Sequence, residues 1–185
     1  MTYAAVGRAA AAAGLALRGG FQVAPGDGVV AATVLMLGWT GGMQWPVFAA
    51  SAEFADGRAN PLDRWSRRVV GGLAAEFGAV ALYPFGGPPF LPFLRWAVRA
   101  EALFGSPIGL LVHPEFGLWH AWRGALAFAE RMDVPAVAER RSPCEGCARY
   151  CLEGGREACP VGTPYGDAQM AFHTAAYRRG IMPSA

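Results

Sequence analysis

All four cysteines of this 185-residue chain fall within 16 consecutive residues, at Cys144, Cys147, Cys151 and Cys159, with Pro160 directly after the last. Any fold must therefore accommodate one thiol-dense segment, SPCEGCARYCLEGGREACPVG (142–162), in an otherwise cysteine-free chain. The thiols are disulfide partners, zinc ligands, iron–sulfur ligands or unrelated neighbours, and the choice decides most of what the chain does. Disulfides fit poorly. A chain of this length can bury a core without covalent staples. Its N-terminus, where Arg8 precedes an alanine-rich run, makes a poor secretory signal and a better helix.

The spacing is C-x2-C-x3-C-x7-C-P. Four thiolates suit tetrahedral zinc, but structural zinc sites usually pair two C-x2-C knuckles well apart in sequence. Three cysteines in quick succession and a fourth before proline stand closer to the bacterial iron–sulfur run C-x2-C-x2-C-x3-C-P. A cubane presents its irons at neighbouring corners, so one tight loop can serve three of them. Gly146 and Ala148 leave room for backbone amides near the sulfides. The glycines of LEGGREA let Cys159 return, and with no second set it would close the same cluster. The expectation is one [4Fe–4S] cluster on Cys144, Cys147, Cys151 and Cys159; a structural zinc site on the same four thiolates is the alternative, and incidental thiols or disulfides come after that.

Hydrophobic residues make up 54% of the chain and charged ones 16%, which excludes disorder and raises the membrane question. The uncharged stretch 28–52 is long enough to span, but Gly38, TGGMQWP and Pro46 break it, leaving only Val29 to Leu37 strongly apolar. Residues 77–94 contain PFGGPPFLPF and cannot form one helix. No membrane span and a cytoplasmic location are expected. A net charge of +2 gives no indication of nucleic acid. Every basic residue is arginine, so no lysine is present for Schiff-base or general-base chemistry. No Rossmann fingerprint, P-loop, G-x-S-x-G or H-E-x-x-H motif occurs, which weakens nicotinamide, nucleotide, serine hydrolase and zinc protease readings.

Punctuation along the chain predicts a helix over 3–18 stopped by Gly19-Gly20, a hairpin of FQVA and VVAATVLML about PGDG, and a helix over 43–54. Asn60, Pro61 and Asp63 open a helix that Gly78 ends, with Leu62, Trp65, Val69, Leu73 and Phe77 on one face. AVALYPF reads as a buried strand, 93–104 as an amphipathic helix, and IGLLVHP and LWHAWRGALAFA as two strands joined by PEFG. A polar linker precedes the cysteines and a helix over 167–179 follows them. This mix predicts an α+β fold, with a core domain over 1–130, a linker over 131–142 and a cluster segment over 143–185.

HPEFGLWxxxRGAL (113–126), followed by the linker and the cysteine run, resembles the cobalamin-dependent iron–sulfur proteins: epoxyqueuosine reductases most, reductive dehalogenases and cobalamin-trafficking proteins less. Short bacterial ferredoxin-like proteins, which share an LYPFGGPPFLPFLRWAVRAE-type segment and the HPEFGLWHAWRGAL stretch, resemble the chain more closely still. The resemblance covers about 82–162. It implies a nitroreductase-like α+β domain that holds cobalamin, with a cluster docked against it to deliver electrons. The cluster spacing here is longer than in those families, and their second cluster motif is missing.

Residues for a cofactor-binding role are His113, Trp119, Arg123, Gly124, Trp96 and Arg95. His113, before Pro114, is either a structural turn histidine or cofactor-facing. His120 and Arg123, three apart in a strand, point to opposite faces unless a bulge intervenes. Arg123 either holds an anionic group or pairs with Glu115. Gly124 permits close approach by a cofactor or another backbone. PFGGPPFLPFLRW, with Arg95 and Trp96, lines a pocket or packs on the core. Arg95 and Arg99, one helical turn apart, form an anion site or are solvated, and His173 is expected at the surface. The functional expectation is an electron-transfer protein with one [4Fe–4S] cluster, serving a donor or acceptor protein, a corrinoid or another bound cofactor. Its rivals are a zinc-stapled binding protein and a small-substrate reductase; an enzyme here would be an oxidoreductase.

Overall fold

The computed structural model describes residues 2–180, with side chains described through residue 175. The final residues of the segment expected over 143–185 thus lie outside the described residues. In chain order the elements are α1 (Tyr3–Ala12), β1 (Ala16–Gln22), β2 (Thr33–Thr40), α2 (Trp45–Ala49), α3 (Ala52–Ala55), α4 (Pro61–Phe77), β3 (Val80–Leu82), α5 (Phe93–Ala100), β4 (Phe104–Gly105), β5 (Leu111–Val112), β6 (His120–Phe128), α6 (Cys151–Gly154) and α7 (Asp167–Gly180); a 3-10 turn (Gly155–Ala158) follows α6. The fold is mixed α+β around an antiparallel sheet of order β1-β2-β6-β3.

The apolar run of β2 becomes a central strand buried along its whole length. Alternate side chains serve opposite faces. Leu35, Leu37 and Trp39, with Leu126 and Phe128 of β6, meet α1 and α4 through Val6, Trp65, Val70 and Leu73. Val34 and Met36, with Ala125 and Ala127, meet Phe21 and the α5 residues Phe93, Trp96 and Ala97. The face expected for α4 is the one that turns inward, and Gly78 ends that helix at φ +64. Among the described residues no helix is long and apolar enough to cross a membrane.

Several boundaries differ from the sequence reading, each for a local reason. α1 stops at Ala12, and residues 16–22 are strand. Gly19-Gly20 lies within β1 and is not a helix stop; the register slips between Leu17 and Gly20, which makes Arg18-Gly19 the bulge. A Cβ on Gly19 would lie 2.0 Å from the carbonyl oxygen of Ala100. The helix expected over 43–54 is divided by Ser51, whose extended backbone and Oγ, accepting from Phe54 N–H at 3.3 Å, start α3 afresh. α5 ends at Ala100, because Glu101 turns extended. The PEFG turn does not join two paired strands. Only His113 and Gly117 bridge across it; β5 pairs with β4, while β6 lies between β2 and β3.

The polar linker is anchored at its start. Met132 N–H donates to Thr33 Oγ1 at 2.9 Å, and its carbonyl accepts from Gln22 Nε2 at 2.7 Å. Beyond the cysteines, α7 returns to the core, where Phe172 packs against Trp45, Phe48 and Phe54.

Candidate metal centre and the polar network beside it

Ser142 begins the cysteine segment, its Oγ accepting from Cys144 N–H at 3.2 Å. Cys147 N–H then reaches the Cys144 carbonyl at 3.3 Å. Gly146 and Arg149 adopt left-handed backbone, with φ of +72 and +60. The Arg149 turn aims its own N–H at Cys147 Sγ, 3.4 Å away. Cys151 starts α6 and is buried; Cys159 follows the 3-10 turn.

All four cysteines, each a free thiol, line one narrow cavity. Its far wall comes from earlier in the chain: Ser106 and Pro107 between β4 and β5, Val112 of β5, and Leu118. Burial raises the pKa of the Cys144 thiol, and Cys147, Cys151 and Cys159 add to the rise. Among the described residues no group of three or more His, Cys, Asp or Glu side chains is arranged to hold a metal ion. The thiols share a cavity but would have to close in further to ligate.

Two glycines fix this segment to the HPEFG turn. Gly117 has φ +59, and a Cβ there would lie 1.8 Å from the Val161 carbonyl oxygen. Gly162 has φ +81, and its Cβ would lie 2.2 Å from the Phe116 carbonyl oxygen. The glycines of HPEFG and of CPVG thus let the two backbones touch. The same interface holds Trp119, fully buried, with Tyr165 at 5.1 Å and the Arg156 guanidinium 4.5 Å above its ring.

On the other side of the turn is a charged network centred on Arg18, which is 3% exposed. Its Nε donates to Glu101 Oε2 at 3.0 Å and its Nη2 lies 2.7 Å from Oε1. Nη1 donates to the Trp39 carbonyl at 2.8 Å. His120 places Nε2 3.0 Å from the Leu111 carbonyl, so the proton belongs on Nε2 and Nδ1 faces Arg18 Nη2 at 3.5 Å. His113 Nδ1 accepts from the amides of Glu115 and Phe116 at 3.0 and 3.2 Å, leaving Nε2 3.7 Å from Glu101 Oε2. Burial and the Arg18 charge lower both histidine pKa values to about 4, and burial raises that of Glu101.

The six cofactor candidates disperse. His113 is a turn-closing histidine. Trp96 is fully buried between Phe21 and Phe93. Arg95 donates to the Gly26 carbonyl, and Arg99 binds Asp27 at 2.5 Å, so both clasp the PGDG loop. Gly124 admits another part of the chain, since a Cβ would meet the Leu82 carbonyl and the Val70 methyls at 3.0 Å. Arg123 faces Asp63, with Nη2 to Oδ1 3.9 Å, and not Glu115. The register of β6 on β2 slips between Gly124 and Trp122, making Arg123 a bulge residue. Arg123 lines a cavity together with His173, which is half-buried instead of at the surface; His120 borders the same cavity, but its ring nitrogens face Leu111 and Arg18.

Arg18, Glu101, Arg156 and Tyr165 were not evident from sequence. Arg18 and Glu101 are 83 residues apart, and no local pattern joins them. No protein-family model matches the chain, and comparison with curated proteins finds no match.

Proposed function

We propose that the chain is an iron–sulfur redox protein whose Cys144, Cys147, Cys151 and Cys159 hold a single [4Fe–4S] cluster against the α+β core. The observation that carries this reading is the gathering of all four thiols around one cavity walled by Pro107, Val112 and Leu118. The donor chemistry suits such a group once the thiols close in: soft thiolates, an apolar wall, and an amide already directed at Cys147 Sγ. When bound, the cluster supplies one-electron transfer. The chain's own contribution is to exclude water with the Pro107–Val112–Leu118 wall and to present the Arg149 N–H to sulfur, which favours the more negative, reduced state. The docking glycines, Gly117 and Gly162, hold the segment on the core.

A nitroreductase-like description of the core rests on the resemblance; the antiparallel sheet covered by helices on both faces supports it. Service to a corrinoid or another bound cofactor rests on the resemblance alone, since the six candidates do not share a cavity. An electron-donating or electron-accepting protein is the simpler partner.

The deciding experiment is anaerobic purification with iron, zinc and acid-labile sulfide measured on one sample beside its visible spectrum. About four irons and four sulfides per chain are expected. About one zinc and no sulfide would replace this reading with a structural zinc site held by the four thiolates.

A further inference from the structure

Between β6, the cysteine segment and α7 lies a cavity of about 290 Å³. Arg123 enters it from β6, Arg156 from the 3-10 turn, Tyr165 from the strand-less stretch before α7, and His173 from α7; His120 borders it, but its ring nitrogens are turned to Leu111 and Arg18. Three separate chain segments thus place polar groups around one space.

The charges there do not balance. Arg123 is largely buried, and the nearest carboxylate, Asp63, is 3.9 Å away, beyond a normal hydrogen bond. Arg156 rests on the Trp119 and Tyr165 rings and, among the described residues, makes no ion pair within 4.0 Å. Of the two permanently charged guanidinia, Arg123 has one loosely held carboxylate and Arg156 has none within 4.0 Å among the described residues. Buried His173 Nε2 has no hydrogen-bond partner, although buried polar atoms normally find one. Positive surplus, an unpaired polar nitrogen and flat aromatic walls suit an anionic head on a small body. The volume is at the low end for ligand pockets.

We propose that this cavity binds a small organic anion, a carboxylate or phosphate ester, with its charged group between Arg123 and Arg156 and its body against Tyr165 and Trp39. Arginine's planar fork suits either head group. Arg156 lies between Cys151 and Cys159, so the ligand would touch the loop that carries the thiols. The site needs that loop in place but no particular metal, and it stands apart from the iron–sulfur reading.

The test is titration of the full chain, as purified and with its metal content measured, by calorimetry and tryptophan fluorescence. The probes are benzoate, phenyl phosphate and the neutral benzamide. At least one anion should bind tenfold or more tightly than benzamide, and which one distinguishes the head groups. Arg156→Gln should weaken that anion at least tenfold, and so should Arg123→Gln. If Arg123→Gln does not fold, Arg156→Gln on its turn carries the test alone. Anions binding no better than benzamide, or equally well to folded Arg156→Gln, would overturn the proposal. Zinc in place of iron with anion binding intact would remove the cluster reading and leave this one standing.

Discussion

Gly117→Ala separates two costs that are usually entangled. Gly117 sits at φ +59, where alanine costs about 1–2 kcal/mol for left-handed backbone. Its new methyl would also lie 1.8 Å from the Val161 carbonyl oxygen, a contact no side-chain rotation can relieve. Overpacking of that kind costs about 1–3 kcal/mol more, giving about 2–5 kcal/mol in total. Gly109 is the control: it has φ +77 and nothing within 4 Å of its Cβ position, so Gly109→Ala bears the backbone cost alone. For a domain of this size each kcal/mol moves Tm by about 2–4 °C. Gly109→Ala should therefore lower Tm by about 2–8 °C, and Gly117→Ala should lower it further. The clash can instead be relieved by undocking the cysteine segment, which would appear as lost metal with a smaller change in Tm. Thermal unfolding followed by far-UV circular dichroism, with metal analysis of each variant, measures both. Equal destabilisation of the two variants with full metal retention in Gly117→Ala would refute the docking argument.

Replacing Cys144, Cys147, Cys151 or Cys159 singly with alanine should reduce iron to less than half of the parent content; full retention in all four variants, by the same iron and sulfide assay, would remove them as ligands. Glu101→Gln strands the Arg18 charge in a nearly dry site and should cost about 3–5 kcal/mol in urea unfolding. His113 and His120 are held neutral in the fold, with pKa near 4 against an ordinary 6.5. The unfolded chain then binds more protons, so their contribution is complete above about pH 6.5 and is lost as pH falls toward 4. The urea midpoint should drop between pH 7 and 5, and His120→Gln should flatten that drop.

Where sequence and structure agree, the signal was local. Pro61, the spacing from Leu62 to Phe77, and Gly78 describe α4 without reference to the rest of the chain. The apolar run of β2 reads as a buried strand because both of its faces are covered. The four cysteines are neighbours in sequence and share a cavity in space. Where the two diverge, the cause is distant. The alanines of 3–18 carry little periodicity, so nothing marks the change from α1 to β1. The meaning of Gly19 depends on Ala100, and that of Gly117 on Val161. The bulge at Arg123 is set by pairing with β2, so the face presented by Arg123 is invisible along β6 alone. Pairing of β5 with β4 defeats the local hairpin pattern around PEFG for the same reason.

The thiol segment is tethered at both ends. Before it, Met132 is bonded to Thr33 and Gln22; after it, Phe172 is seated among Trp45, Phe48 and Phe54. The folded core therefore clamps the segment, so that the proposed centre would find its four sulfurs at high effective concentration. Much of the loop-closure entropy is settled when the core folds and not when the metal binds. On the proposed four-thiolate centre, assembly and loss of a metal would be local events on a standing scaffold, and a damaged centre would be stripped and rebuilt without refolding the molecule.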